Sequence, residues 1–148
     1  MKDPLDITET SIDKSHARQL TGSCLCSGVS YQINGPARDV VNCYCSQCRK
    51  TSGHYVAATR INKDHLSLTN EESLTWFECL PNIFRGFCNS CGGNLFWDNK
   101  NVSNNEISVM AGTLDTPTHL KTVENIFTED ASDYCQIANI KPIKDTEN

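Results

Sequence analysis

No stretch of this 148-residue chain stays apolar for the ~18 to 20 residues that a membrane helix requires, so no spanning helix is expected. The opening MKDPLDITETSIDKSHAR lacks the apolar centre of a secretory leader, and the expectation is a cytoplasmic protein. Positive charge is scarce as well. Lys and Arg number 13 against 18 Asp and Glu, which gives a net charge of −5 and a pI near 5.3. An acidic surface repels phosphate backbones and anionic lipid, so neither nucleic acid nor a membrane is an expected partner. There is no basic tail of the kind that would reach chromatin or a microtubule. Internal repeats are missing, and the chain has no low-complexity tract beyond an Asn-rich loop near residues 99–105. With 38% hydrophobic residues and a mean hydropathy of −0.44, the core is modest. Something besides burial is expected to hold it together.

Cysteine is what the chain has in excess: nine, an odd number that intrachain disulfides cannot consume. In a reducing compartment such thiols are metal ligands or reactive groups rather than disulfides. The length fits one domain. Residues 1–18 and 139–148 are polar, charged and aperiodic and read as tails, which leaves a domain over 19–138. Inside it lie short runs rich in β-branched and aromatic residues. They are VSYQI (29–33), RDVVN (38–42), YVAATRI (55–61), HLSLT (65–69), LTWFE (74–78), IFRGF (83–87), NLFW (94–97) and EISVMAG (106–112). Gly, Asn, Pro and Asp punctuate them. Only SQCRKTSG, after Cys45, reads as a short helical turn, ended by Gly53. The fold class is therefore mainly β, with several short antiparallel strands. Exposed strand edges can pair with a second copy, so a homodimer stays open.

Seven of the nine cysteines cluster as Cys24-Leu25-Cys26, Cys43-Tyr44-Cys45-Ser46-Gln47-Cys48 and Cys88-Asn89-Ser90-Cys91-Gly92-Gly93. On an extended strand, side chains two apart share a face, so both thiols of a CxC can reach one ion. In CxxC-Gly the chain turns back and the two thiols converge, with glycine permitting positive φ. The simplest partition of seven is four plus three. Cys24, Cys26, Cys88 and Cys91 complete a closed, structural Zn2+ site. Cys43, Cys45 and Cys48 hold a second Zn2+ whose fourth position is open, as catalysis needs. A ribbon-like pairing of Cys45 and Cys48 with Cys88 and Cys91 competes, although its separation exceeds the usual ~15 to 20 residues. The isolated Cys79 or Cys135 would close the trio if either joined it; such lone cysteines more often behave as small buried hydrophobes.

GSCLCSGVSYQINGP (22–36), CYCSQCRKTSGHYVAA (43–58), RGFCNSCGGNLFW (85–97) and AGTLDTP (111–117) resemble, in order, the glutathione-dependent formaldehyde-activating enzyme family, the one grouped with centromere protein V. The resemblance implies a β-tent fold with two zinc sites. Cys24, Cys26, Cys88 and Cys91 match the structural site, and Cys43, Cys45 and Cys48 the catalytic one. It also implies a carbon–sulfur lyase that forms or cleaves S-hydroxymethylglutathione from glutathione and formaldehyde. The partners are then a thiol, glutathione or another, and an aldehyde. Tyr44 stands where the family often has His, Asn125-Ile126-Phe127 where His-Ile-Phe is expected, and Cys135 where an aromatic residue is frequent. These departures bear on substrate more than on fold.

Three thiolates and Zn2+ sum to −1, a weak Lewis acid suited to a fourth thiolate. Arg49 and Lys50 are candidates to receive glutathione carboxylates, against a reading as a solvated turn surface. His54 is a candidate proton shuttle or ligand, against an ordinary strand-entry residue. Solvated turn positions account better for His65 and His119. Phe87, Phe96 and Trp97 are candidates to line a pocket near the metals, although such aromatics are more often core. Asp115 reads equally as a general base or a turn former. Two other classes stand beside the lyase. One is a zinc-dependent hydrolase acting on an imine or related electrophile; the other is a non-catalytic zinc-binding interaction module, whose second site would be closed.

Overall fold

The computed structural model describes residues 19–140. The expected N-terminal tail with His16, and all but the first two residues of the expected C-terminal tail, lie outside the described residues. The chain is mainly β, as both the residue pattern and the resemblance imply. Ten strands form, β1 Leu20–Ser23, β2 Ser30–Ile33, β3 Val40–Cys43, β4 Val56–Asn62, β5 Leu66–Asn70, β6 Leu74–Leu80, β7 Ile83–Cys88, β8 Asn94–Asn99, β9 Glu106–Met110 and β10 Thr122–Ile126. Among the described residues one α-helix forms, α1, Ser46–Ser52. Among the described residues no helix is long and apolar enough to cross a membrane.

Two sheets result: a three-stranded one in the order β1-β2-β5, and a seven-stranded one in the order β10-β3-β4-β9-β8-β7-β6. Every pairing is antiparallel except β10 with β3. Position in the sheet decides how each strand is buried. Central β9 is buried from Ile107 to Met110, whereas the edge strand β6 exposes Trp76 and Phe77. Inward residues of both sheets form one core, with Tyr31 and Ile33 from the small sheet meeting Leu95, Phe96 and Val109 from the large one. The Tyr31 ring stands edge-on to Phe96 at 5.4 Å. Each such side chain, fully buried, contributes roughly 1.5–3 kcal/mol. Trp76 stacks on Phe96 at 6.0 Å, and Gly86 on β7 leaves room for it, since a Cβ there would sit 3.0 Å from the indole.

Eight of the strands lie where the runs of β-branched and aromatic residues place them. The two that do not, β1 and β10, have little of their own to announce them. LTGS and TVENI carry few apolar residues, and β10 is held by its parallel partner β3, with Ile126 opposite Cys43. Helix α1 stops at Gly53, whose φ of 89° closes a left-handed cap as its N–H donates to the Arg49 carbonyl.

Candidate metal centres and the cavity beside them

The first cluster joins two turns. Cys24 and Cys26 follow β1 in a tight loop, not on a strand as the CxC spacing led us to expect. Ser27, with φ of 64°, turns the chain so that the Cys24 amide donates back to Val29 O at 3.0 Å. Curvature, rather than the two-residue alternation of a strand, brings these thiols to one side. Cys88 ends β7, and Cys91 lies in the knuckle closed by Gly92 at φ 78°, where Gly92 N–H donates to Cys88 O at 2.8 Å. All four sulfurs lie within 4.8 Å of one another. The Cys24–Cys26 and Cys26–Cys88 separations are 3.7 and 3.6 Å. Four sulfurs on a tetrahedron about Zn2+ at ~2.3 Å would stand about 3.8 Å apart, so the donor set fits that ion.

The second cluster comes from a single stretch. Cys43 ends β3, Cys45 caps α1 by accepting from the Cys48 amide at 3.4 Å, and Cys48 lies in the helix's first turn. Their sulfurs also lie within 4.8 Å of one another, and neither Cys79 nor Cys135 belongs to either group. Cys79 donates instead to Ile83 O at 3.4 Å, and Cys135 Sγ lies 3.9 Å from His54 Nε2. All nine cysteines are free thiols.

Both thiol sets hold protons unevenly. Cys48 is lowered to about 6, first by its hydrogen bond with Cys43 and also by Arg85, against the opposing effect of burial. Cys43 is driven far up, chiefly by that same bond and by burial. In the other cluster the Gly93 and Cys26 amides bring Cys91 down to about 6. At Cys26 the Gly28 amide lowers the pKa, but sharing with Cys88 and desolvation outweigh it and the result is about 11. Thiols crowded within 4.8 Å of one another are the donor arrangement of a metal site.

The three-thiol cluster opens on a cavity. Cys43, Cys45 and Cys48 line a space of about 390 Å³ together with Trp97, Ile126 and Phe127. Three arginines share its wall. Arg85, on β7, points Nη2 at Cys48 Sγ across 3.8 Å, while its buried Nε has no hydrogen-bond partner. Arg38 is 4% exposed and donates from Nε to Asp39 O and from Nη2 to Ala58 O. Thr59 Oγ1 donates to its carbonyl and holds the backbone in place. Burial, then repulsion from Arg60, lowers the Arg38 pKa to about 10, so it remains a cation at neutral pH. Arg60 reaches Glu106 only at 3.9 Å. Glu124 is the one carboxylate residue on the cavity wall.

The other candidates fall elsewhere. Arg49 and Lys50 do not line the cavity; both belong to the last turn of α1, and Arg49 Nε donates to Asp130 O at 3.2 Å. From the same helix it is Gln47 that reaches the wall. His54 is exposed and packs against Tyr55 and Tyr134. His65 is not the solvated residue expected: its ring packs on Gly35 and its Nδ1 is buried, because the turn folds back against β2. His119 is exposed. Phe96 is core, whereas Trp97, its neighbour on β8, faces the cavity. Asp115 accepts from Thr21 Oγ1 at 2.7 Å and latches β1 rather than lining the cavity. Sequence reasoning missed Arg38, Arg60, Arg85 and Glu124. A trace existed, in that Arg60 and Arg85 interrupt apolar strands where a charge demands a reason.

Fold and thiols together define a mainly β domain able to hold metal at two cysteine clusters. The chain belongs to the glutathione-dependent formaldehyde-activating enzyme (GFA) family, whose description matches residues 19–130. No curated protein matches the chain. A Rhodobacter sphaeroides protein of known crystal structure is similar in fold, with a TM-score of 0.54 at 24% identity, over 71% of this chain and 98% of that one.

Proposed function

We propose that this protein is a zinc-dependent carbon–sulfur lyase that joins a thiol such as glutathione to an aldehyde such as formaldehyde, and runs the reverse cleavage. The observation that carries the reading is the three-thiol cluster on the wall of a ligand-sized cavity. In this reading Cys24, Cys26, Cys88 and Cys91 hold a structural Zn2+, and Cys43, Cys45 and Cys48 hold a catalytic one, within a domain over 19–138. The absence of a disulfide among nine cysteines suits a reducing compartment such as the cytoplasm.

What a bound Zn2+ supplies at the trio is stabilisation of a substrate thiolate at neutral pH. The chain's own groups do the rest. Arg85 donates toward Cys48 and offsets the negative charge that three thiolates concentrate there. Val41, Val56, Met110 and Trp97 make the cavity apolar and limit competing water. The substrate sulfur attacks the carbonyl carbon, an S–C bond forms, and the C=O π pair moves to oxygen. The proton lost by the thiol ends on that oxygen, and Glu124 is the wall carboxylate positioned to carry it. The product is a hemithioacetal; reversal expels the thiolate and restores the aldehyde.

Exchange of the methylene protons between free formaldehyde and its glutathione adduct, followed by NMR with and without zinc-loaded protein, tests the reading. We expect exchange above the spontaneous rate, together with protection of Cys43, Cys45 and Cys48 from alkylation by submillimolar glutathione. Exchange at the spontaneous rate, with no protection, would leave a zinc-binding module.

A further inference from the structure

Formaldehyde has one carbon, and the cavity beside the trio has room for far more. Its volume of about 390 Å³ would hold roughly a dozen waters, and so small an aldehyde displaces about one or two. The wall has a definite character as well. Cys48 is buried in one cluster with Val56 and Met110, and Cys43, Cys45, Ala58 and Trp97 pack against it. Val41, Ile83 and Ile126 extend that apolar wall. Hydroxyl and amide side chains are scarce: among the described residues that line the cavity they are Ser108 and Gln47. The buried arginines turn their donors elsewhere. Arg38 donates to the Asp39 and Ala58 carbonyls, and the Glu106, Glu124 and Asp39 carboxylates act on it; Arg85 turns to Cys48. Arginine stems cover apolar surface while their heads are engaged.

Two residues line the cavity and also reach solvent. Leu80 is 45% exposed and Phe127 42%. Large apolar side chains left in water beside a concave apolar space mark a surface that a ligand covers. Phe127 holds φ at 54°, a left-handed conformation that a bulky residue adopts only under constraint. We propose that the electrophile is an aldehyde bearing an apolar chain, with its carbonyl at Cys43, Cys45 and Cys48 and its chain over Met110 and Trp97, covered by Leu80 and Phe127. This rests on the lyase reading and narrows its substrate class. The bonds made and broken are those already described, and the chain takes no part in them. A polar thiol has room of its own: a second cleft, lined by Asn99, Asn101 and Asn104, adjoins the cavity through Arg60, Trp97 and Ser108.

Unreactive amides test the chain subsite apart from the chemistry. Propanamide, butanamide and hexanamide are titrated calorimetrically into the zinc-loaded protein. Each added methylene is expected to tighten binding about two- to four-fold, so hexanamide should bind about ten-fold or more tightly than propanamide. With glutathione as the thiol, hexanal should exceed propanal by a similar factor in exchange above the spontaneous rate. Leu80→Ser and Phe127→Asn, both at exposed positions, are each expected to cut the amide preference at least about three-fold with zinc content unchanged. Asn tolerates the left-handed φ at position 127. A hexanamide preference below about two-fold, or one that survives both variants, overturns the inference and leaves formaldehyde exchange as it was found. Exchange of every aldehyde at the spontaneous rate, with the amide preference intact, sinks the lyase reading instead and the aldehyde assignment with it.

Discussion

The two thiol clusters use the same side chain to opposite ends. In the four-thiol cluster the ligands come from turns far apart in the chain; Cys26 and Cys88, whose sulfurs lie 3.6 Å apart, are separated by 62 positions. The three-thiol cluster is local, drawn from the end of β3 and the start of α1, and it lines a cavity. A metal that ties distant turns changes the folding equilibrium, because it closes a long loop and its binding energy becomes folding energy. A metal that ties six neighbouring residues constrains little that the helix has not already fixed. In the proposed reading, number of ligands and distance along the chain separate a staple from a workplace.

The largest effect expected from breaking this contrast is at the staple. Structural zinc binding is worth ~10–16 kcal/mol, against a total of ~5–15 kcal/mol for an ordinary domain. Cys91→Ser is therefore expected to abolish the native circular dichroism spectrum and the cooperative melt at 37 °C. A Cys91→Ser protein that melts like the parent would reverse the roles given to the two clusters. Next comes Cys45→Ser. It should lower zinc per chain from two to one by native mass spectrometry and remove methylene exchange, while the melt keeps its cooperativity. Smaller is the effect of Arg85→Met, which withdraws the donor to Cys48; we expect zinc at the trio to weaken about 10- to 100-fold in competition with a chelator. Smallest are Arg49→Ala and Lys50→Ala. Their side chains lie outside the cavity, so glutathione binding should change less than about three-fold and stability by less than about 0.5 kcal/mol. A ten-fold loss of affinity there would return them to the site.

Cysteine spacing made both clusters legible because a metal site writes itself as short local motifs. Position along the chain could pair Cys24 and Cys26 with Cys88 and Cys91, yet it could not show that a turn, with Ser27 at positive φ, presents the first two. Runs of β-branched and aromatic residues placed β2 through β9 for a similar reason, since each strand is announced by its own few residues. β10 stayed hidden because its pairing to β3 spans some eighty positions and its own residues are mostly polar. The arginines of the cavity were hidden for the same reason. Arg38, Arg60 and Arg85 come from three separate segments, and nothing local connects them. Only after the sheet assembles does β4 carry Arg60 beside β3, and β7 carry Arg85 toward Cys48.

Strand β7 carries both chemistries within four residues: Arg85 faces the open cluster, and Cys88 belongs to the closed one. The two centres therefore share one beam. Metal starvation would not strike them independently. In the proposed reading, emptying the closed cluster unfolds the end of the beam, and the contact from Arg85 to Cys48 goes with it. Resupply has a preferred order for the same reason: the closed cluster must fill first, and activity should lag behind the first equivalent of metal.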